Sequence, residues 1–163
     1  MERETLNHPF APVWDAKCKV LVLGTFPSVK SRENAFYYGH PQNRFWRMLG
    51  RVFGEETPES VPEKRDFLLR HHIALWDVIQ GCDIAGSADS SIRNAVPNDL
   101  PGLLAKCPVR RILLNGGTAG KVYGKYWKNL AMEAVVLPST SPANAAWSLD
   151  ALAAAWGKAL KEE

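Results

Sequence analysis

The feature that most constrains this chain is a recurring pattern in which a short apolar run stops abruptly at a glycine-, serine- or asparagine-rich turn. Residues 19–23 (KVLVL) stop at GTFPS, residues 111–114 (RILL) at NGG, and residues 134–137 (AVVL) at PSTSPAN. A run with no polar alternation reads as a strand covered on both faces, which is the environment of a parallel sheet. Between these runs the periodicity changes. Residues 43–53 place Phe45, Trp46, Leu49, Val52 and Phe53 on one helical face and Arg44, Arg47 and Arg51 on the other. Further helices are predicted over 62–73, entered through Pro62 and Glu63, over 99–106, over 118–127, where Gly120 and Gly124 weaken the pattern, and over 148–160 with Ser148 as N-cap. Residues 74–79 (ALWDVI) read as a short strand or extended segment. Residues 81–97, dense in Gly, Ser, Asp and Asn, read as a loop. Strands alternating with helices predict an α/β fold: a three-layer α/β/α sandwich on a central, mostly parallel sheet. No internal repeat or low-complexity linker interrupts the pattern, so residues 1–163 read as a single domain.

Composition removes several function classes. Apolar residues make up 46% and charged residues 23%, a globular rather than disordered balance. No apolar run approaches the ~18 residues of a membrane helix. Glu2, Arg3, Glu4 and Asp15 make the first segment unlike a signal peptide, so a cytoplasmic protein without a membrane partner is expected. Cys18, Cys82 and Cys107 are far apart and form no C-x-x-C pair, so no disulfide framework, zinc site or iron–sulfur cluster is indicated; neither a metal nor a cofactor is expected. A net charge of +3 permits a phosphate-tracking face without requiring one. Gly116, Gly117 and Gly120 lack the G-x-G-x-x-G spacing, and the Gly120–Lys121 pair is followed by Val122 rather than the Ser or Thr of a Walker loop. No G-x-S-x-G is present. His71 and His72 are adjacent and would diverge on a helix, so they read as surface or half-buried residues rather than ligands.

The sharper signal lies in residues 24–46 (GTFPSVKSRENAFYYGHPQNRFW) and 137–145 (LPSTSPANA). Both begin where a predicted strand ends, and open α/β sheets bind ligands beyond the carboxyl ends of their strands. Together with LWDV (75–78) and GSADSSI (86–92), these segments resemble the two active-site motifs of the uracil-DNA glycosylase superfamily, and most of all its hypoxanthine-DNA glycosylase family. The resemblance runs in motif order along nearly the whole chain. HPQNRFW is its specific part, whereas GTFPS or PSTSPAN alone would carry little.

The resemblance implies a uracil-DNA-glycosylase-like sandwich and a monofunctional DNA glycosylase in base excision repair. Its partner would be DNA containing a deaminated base, hypoxanthine first, and the chain would act as a monomer. Uracil or xanthine removal, or a noncatalytic nucleic-acid-binding module on the same fold, are the alternatives; an unrelated flavodoxin-like nucleotide binder is a third. Such an enzyme must flip the nucleotide into a pocket, stabilise the departing base and place a water near C1′. The chain departs from its relatives at the first motif. Mismatch-type members carry G-x-N-P-G where GTFPS stands, and classical uracil enzymes have a water-activating Asp nearby. With neither present, an uncharged amide elsewhere has to position the water, and Asn43 is the residue the family pattern implies as catalytic. An Asn before an amphipathic helix is also a favoured N-cap.

Other residues carry paired readings of the same kind. Phe26 reads as a ring stacking on the flipped base or as a plug beneath its loop. Tyr38 and His40 read as base contacts or as loop packing. Asn115 offers a donor and an acceptor to a purine edge, or terminates a strand before two glycines. Ser139, Thr140, Ser141, Pro142 and Ala143 form the DNA-binding candidate, a proline-stiffened loop that could hold phosphates and fill the gap in the base stack, or a plain turn. Asp89 and its flanking serines contact DNA or cap a turn, and Lys30, Arg32 and Arg44 are available for phosphates.

Overall fold

The computed structural model describes residues 3–8, 10–27, 31–32 and 36–161. The chain runs β1 (Glu4–Asn7), β2 (Val20–Gly24), α1 (Phe45–Phe53), α2 (Val61–Arg70), β3 (Ile73–Asp77), β4 (Ile79–Ile84), β5 (Arg93–Pro97), α3 (Leu100–Leu104), β6 (Arg111–Asn115), α4 (Gly117–Trp127), β7 (Glu133–Leu137) and α5 (Leu149–Lys161). The central sheet has the order β3-β2-β6-β7, and every pairing in it is parallel. A second sheet, β1-β4-β5, is antiparallel.

Strand alternation builds the layers. Val22, Leu75 and Leu113 face one side of the central sheet and pack with Phe45, Leu49, Phe67, Leu68 and Trp156 from α1, α2 and α5. Leu21, Leu23, Ala74, Ile112 and Leu114 face the other, against Leu100, Leu103, Ala119 and Tyr123 from α3 and α4 and Ile79 and Ile84 from β4. The helices begin and end where their own chemistry dictates. Ser60 and Glu63 close a reciprocal capping box at the start of α2, with Pro62 in its first turn. Gly54 ends α1 at φ 65°, a left-handed conformation open to glycine at little cost.

The expected loop over 81–97 is mostly strand. Its Gly, Ser and Asp residues do form a bend and a short 3-10 turn at Asp89–Ser91, but β4 and β5 flank that bend as a ladder. Register shifts between Ile79 and Gly81 and between Gly81 and Asp83 break the two-residue alternation by which a strand is recognised. The pairing of β4 with β1 reaches from Glu4 to Ile84, a contact no local pattern records.

The sheet topology fixes where a ligand can sit. From β2 the chain crosses to β3 on one side, while β6, on the other side of β2, leads outward to β7. The switch therefore falls between β2 and β6, where the following loops diverge and leave a crevice. Gly24 is level with Asp77, and Asn115 with Leu137, so the four strand ends open onto one edge.

Candidate active site

A cleft of about 1040 Å³ occupies that edge. Phe26, Tyr38, His40, Asn43, Asn115, Ser139, Thr140, Ser141, Pro142 and Ala143, all singled out from the sequence, line it together. They come from the loops after β2, β6 and β7 and from the segment entering α1. Lys30 lies outside the described residues.

A chain of hydrogen bonds joins three of these loops. The Asn115 amide nitrogen donates to Thr140 Oγ1 at 3.0 Å, and Asn115 Oδ1 accepts from the Thr140 backbone N–H at 3.0 Å. The Thr140 hydroxyl, with its lone pair occupied by Asn115, donates its proton to Asn43 Oδ1 at 2.9 Å. Asn43 Oδ1 also accepts from the Phe45 N–H at 2.9 Å. Asn43 stands one residue before the N-cap position, which Arg44 occupies, so the capping reading holds only in its hydrogen bond. Its carbonyl holds one of the orphan donors at the start of α1, as a cap does, while the same residue faces the cleft. The network also orients the amide, because two donors converge on one atom and that atom must be the oxygen. Asn43 Oδ1 is satisfied, and among the described residues Nδ2 has no protein partner. The group offered to a ligand is therefore an N–H donor.

Thr140 is fully buried with its hydroxyl bonded on both sides, so its part is internal: it fastens Asn115 to Asn43 and does not reach a phosphate. Arg44, half-buried, is likewise engaged within the protein, donating to the backbone carbonyls of Ser141, Asn144 and Trp147 and so tying the second motif to α1. Arg32 donates to the Gly86 carbonyl at 3.1 Å. Trp156 Nε1 reaches the Pro138 carbonyl at 2.9 Å and anchors the loop from below. Ser139 Oγ accepts from the Ser141 N–H and Ser141 Oγ from the Ala143 N–H, each at 3.1 Å, which leaves both hydroxyl protons for an outside acceptor. Gly116 lets this loop close over the β6 end. It has φ 97°, and a Cβ there would stand 3.1 Å from Ser139 Cβ.

The opposite wall is acidic and aromatic. Asp77, at the end of β3, is 3% exposed and lines the cleft. Its Oδ2 meets His8 Nε2 at 2.8 Å. Its Oδ1 and the Tyr38 hydroxyl both rise over Gly24, where a Cβ would meet them at 2.4 and 2.6 Å. Tyr38 holds a left-handed φ of 54°, rare for an aromatic residue, and among the described residues its buried hydroxyl has no hydrogen-bond partner. Burial, and then the negative field of Asp77, push the Tyr38 phenol well above its usual range. The Asn115 amide tempers that rise without completing a hydrogen bond. Tyr38 therefore presents a neutral hydroxyl. Asp89, on the 3-10 turn at the cleft mouth, has its carboxyl pushed up to about 6, mainly by desolvation and further by Asp77, against the opposing effect of the Thr25 hydroxyl. Phe26 is mostly buried, edge-on to His8 at 6.0 Å, and lines the cleft. His40 holds the Gln42 N–H through Nδ1 at 3.0 Å and also lines the cleft.

His8 and Asp77 are parts that sequence reasoning missed, and Asp89 was read there as a DNA contact or a turn cap, not as a carboxyl with a raised pKa. Asp77 had a signal, since a carboxylate directly after a buried strand stands where parallel sheets put ligands. His8 had none. Among the described residues, no three His, Cys, Asp or Glu side chains converge as metal ligands would, and no helix is long and apolar enough to cross a membrane.

Comparison with known proteins gives one consistent result. Residues 11–160 match the family model described as the uracil DNA glycosylase superfamily. A hypoxanthine DNA glycosylase of Methanosarcina acetivorans is 39% identical over 145 residues, covering 88% of this chain and 91% of the relative. One from Methanosarcina barkeri is 34% identical over 154 residues, covering 93% and 96%. A solution NMR structure from Methanosarcina acetivorans, described as a uracil DNA glycosylase, superposes with a TM-score of 0.81 at 34% identity, covering 98% of this chain and all of that one.

Proposed function

The chain belongs to the uracil DNA glycosylase superfamily, and from that premise we propose that it hydrolyses the N-glycosidic bond of hypoxanthine in DNA as a monofunctional glycosylase acting in base excision repair. Two relatives bearing that activity in their names, similar over about nine-tenths of the chain, support the substrate. The observation that carries the mechanism is the commitment of Asn43 Oδ1 to two internal donors, which leaves its N–H group facing the cleft.

The reaction breaks the C1′–N9 bond. The electron pair passes to the purine, the sugar takes oxocarbenium character, and a water oxygen bonds to C1′ while that water gives up a proton to solvent and the purine anion takes one up. Charge develops on the base, so a fixed donor there acts more strongly in the transition state than in the ground state. Asn43 Nδ2 supplies that donor. Its carbonyl is occupied and in any case too weakly basic to deprotonate water. Its place in the reaction is therefore to hold the departing base rather than to activate the nucleophile. Thr140 and Asn115 keep it aimed. Phe26 offers a face for the flipped ring, and Tyr38 and His40 contact the base from the segment before α1. Ser139 and Ser141 donate to the DNA backbone from a loop stiffened by its own serine turns, and Pro142 and Ala143 at its tip enter the groove.

Base release from matched duplexes carrying a single hypoxanthine, uracil or xanthine, with alkali to cleave abasic sites, tests the proposal. Release mainly of hypoxanthine supports it. Release mainly of uracil keeps the family and overturns the substrate, and salt-sensitive binding without release of any base overturns the reaction.

A further inference from the structure

The family match begins at residue 11, and His8 lies ahead of it on the segment leaving β1. This histidine does not line the cleft, but it packs behind it and reaches Asp77, which does. Its side chain is 2% exposed and that of Asp77 4%, so the two form a buried pair. The ring is held in place by edge and tilted contacts with Phe10, Phe26 and Tyr37 at 5.5, 6.0 and 5.7 Å. Its other nitrogen, Nδ1, lies 2.9 Å from the Phe10 carbonyl and 3.1 Å from the Phe10 N–H. An ionised Asp77 Oδ2 can only accept, so its 2.8 Å contact puts a proton on His8 Nε2. Neutral His8 accepts at Nδ1 from the Phe10 N–H and carries its proton on Nε2. Cationic His8 donates from both nitrogens. In both, Nε2–H donates to Asp77 Oδ2.

With Oδ2 held, the carboxylate turns Oδ1 over Gly24, where no donor among the described residues satisfies it. The Tyr38 hydroxyl, without a partner among the described residues, stands beside it. A carboxylate oxygen only accepts, and a phenol hydroxyl can donate, so the cleft floor shows an acceptor next to a donor. The six-membered ring of hypoxanthine shows the converse, a donor at N1–H next to an acceptor at O6. Adenine, its undamaged parent, has a lone pair at N1, which a buried carboxylate oxygen would repel.

We propose that His8 is a positioning residue for substrate recognition, holding Asp77 so that its Oδ1, together with the Tyr38 hydroxyl, reads the N1–H and O6 edge of the flipped base. The inference rests on the glycosylase reading but concerns binding, so it is tested without turnover. Duplexes carrying 2′-fluoroarabino nucleotides resist hydrolysis. One would carry hypoxanthine and the other unsubstituted purine, which lacks both N1–H and O6. Affinities of the two are compared for the wild-type protein, His8→Phe, His8→Gln and Asp77→Asn.

The wild type is expected to prefer hypoxanthine roughly 10-fold or more, the scale of a charged hydrogen bond. His8→Phe, which fits the aromatic cluster but cannot donate, and Asp77→Asn, which no longer demands a donor, bring the two affinities within about twofold of each other. His8→Gln keeps a donor and keeps much of the preference. Equal affinities in the wild type, or an undiminished preference in His8→Phe, would overturn the assignment. If His8→Phe does not fold, Asp77→Asn carries the same comparison, and an undiminished preference there overturns it equally. Failure of base release would instead strike the glycosylase reading and leave these affinities to be measured.

Discussion

Replacing Thr140 with valine removes one oxygen and nearly nothing else, which makes it a direct probe of the network behind Asn43. Thr140 is fully buried, and its hydroxyl accepts from Asn115 at 3.0 Å and donates to Asn43 at 2.9 Å. Valine fills the same space with a methyl group. The Asn115 N–H is then left facing carbon in a buried setting, and Asn43 Oδ1 keeps only the Phe45 N–H. Two hydrogen bonds at about 1 kcal/mol each, plus part of the desolvation of the stranded N–H, come to about 2–3 kcal/mol. For a chain of this length that lowers Tm by roughly 4–12 °C. Asn43 remains on the cleft wall but is no longer pinned from below, so single-turnover hypoxanthine release should fall about 10-fold or more. Thr140→Ser keeps the hydroxyl and should keep the rate, with a smaller loss of stability from the missing methyl. Thermal denaturation and single-turnover release, run on both variants, decide the matter. A valine variant with a rate within about twofold of wild type would refute the idea that the network orients Asn43.

Three further outcomes follow from the same geometry. Asn43→Ala should lower single-turnover release by about 10²- to 10³-fold, the effect of removing one fixed donor to a developing anion, with duplex affinity changed far less; equal losses in both would remove the residue from the chemistry. Gly24→Ala puts a Cβ into the space shared by Asp77 Oδ1 and the Tyr38 hydroxyl, and release should fall on the order of 10²-fold in a protein that still unfolds cooperatively; an unchanged rate would show that this wall does not touch the base. Asp89 should introduce a pH dependence near 6, because its raised carboxyl is ionised only above that point, adding a second negative charge beside Asp77 and near the departing anion. The rate should rise as pH falls through 6 in the wild type, and a pH–rate profile of Asp89→Asn should lack that limb. The sign for stability is parallel: folding favours the protonated form, so stability falls as pH rises from about 4 to about 6, and Asp89→Asn escapes the loss. The residue is exposed at the cleft mouth, so solvent screening holds this to no more than about 1 kcal/mol.

Much of this architecture is legible in the sequence because it is local. Leu21, Val22 and Leu23 have no polar alternation, and the strand they form is covered on both faces. The arginines of 43–53 fall opposite the apolar stripe that packs on the sheet, and Ser148 accepts from the Ala151 N–H as an N-cap does. The two motif segments meet in one cleft because both start at ends of parallel strands. What stayed hidden is nonlocal. The β1-β4-β5 sheet rests on a pairing across most of the N-terminal half and on a ladder whose bulges erase its period. His8 finds Asp77 from 69 residues away, and nothing around His8 distinguishes it from a loop histidine. Asn43 was readable as a polar residue beside a ligand, but not its orientation. Only the convergence of Thr140 and Phe45 on one atom shows that its donor, not its acceptor, faces the cleft.

The orientation of that amide is what an aspartate at position 43 would test. In Asn43→Asp one oxygen can keep the bonds from Thr140 and Phe45, while the other places a negative charge where Nδ2 stood. If residue 43 stabilises the departing base, that charge opposes the developing anion, and hypoxanthine release in a single turnover should be slower than wild type by about 10²-fold or more, at least as slow as Asn43→Ala. If residue 43 instead activates water, a carboxylate is the better base, and release at or above the wild-type rate would contradict the account.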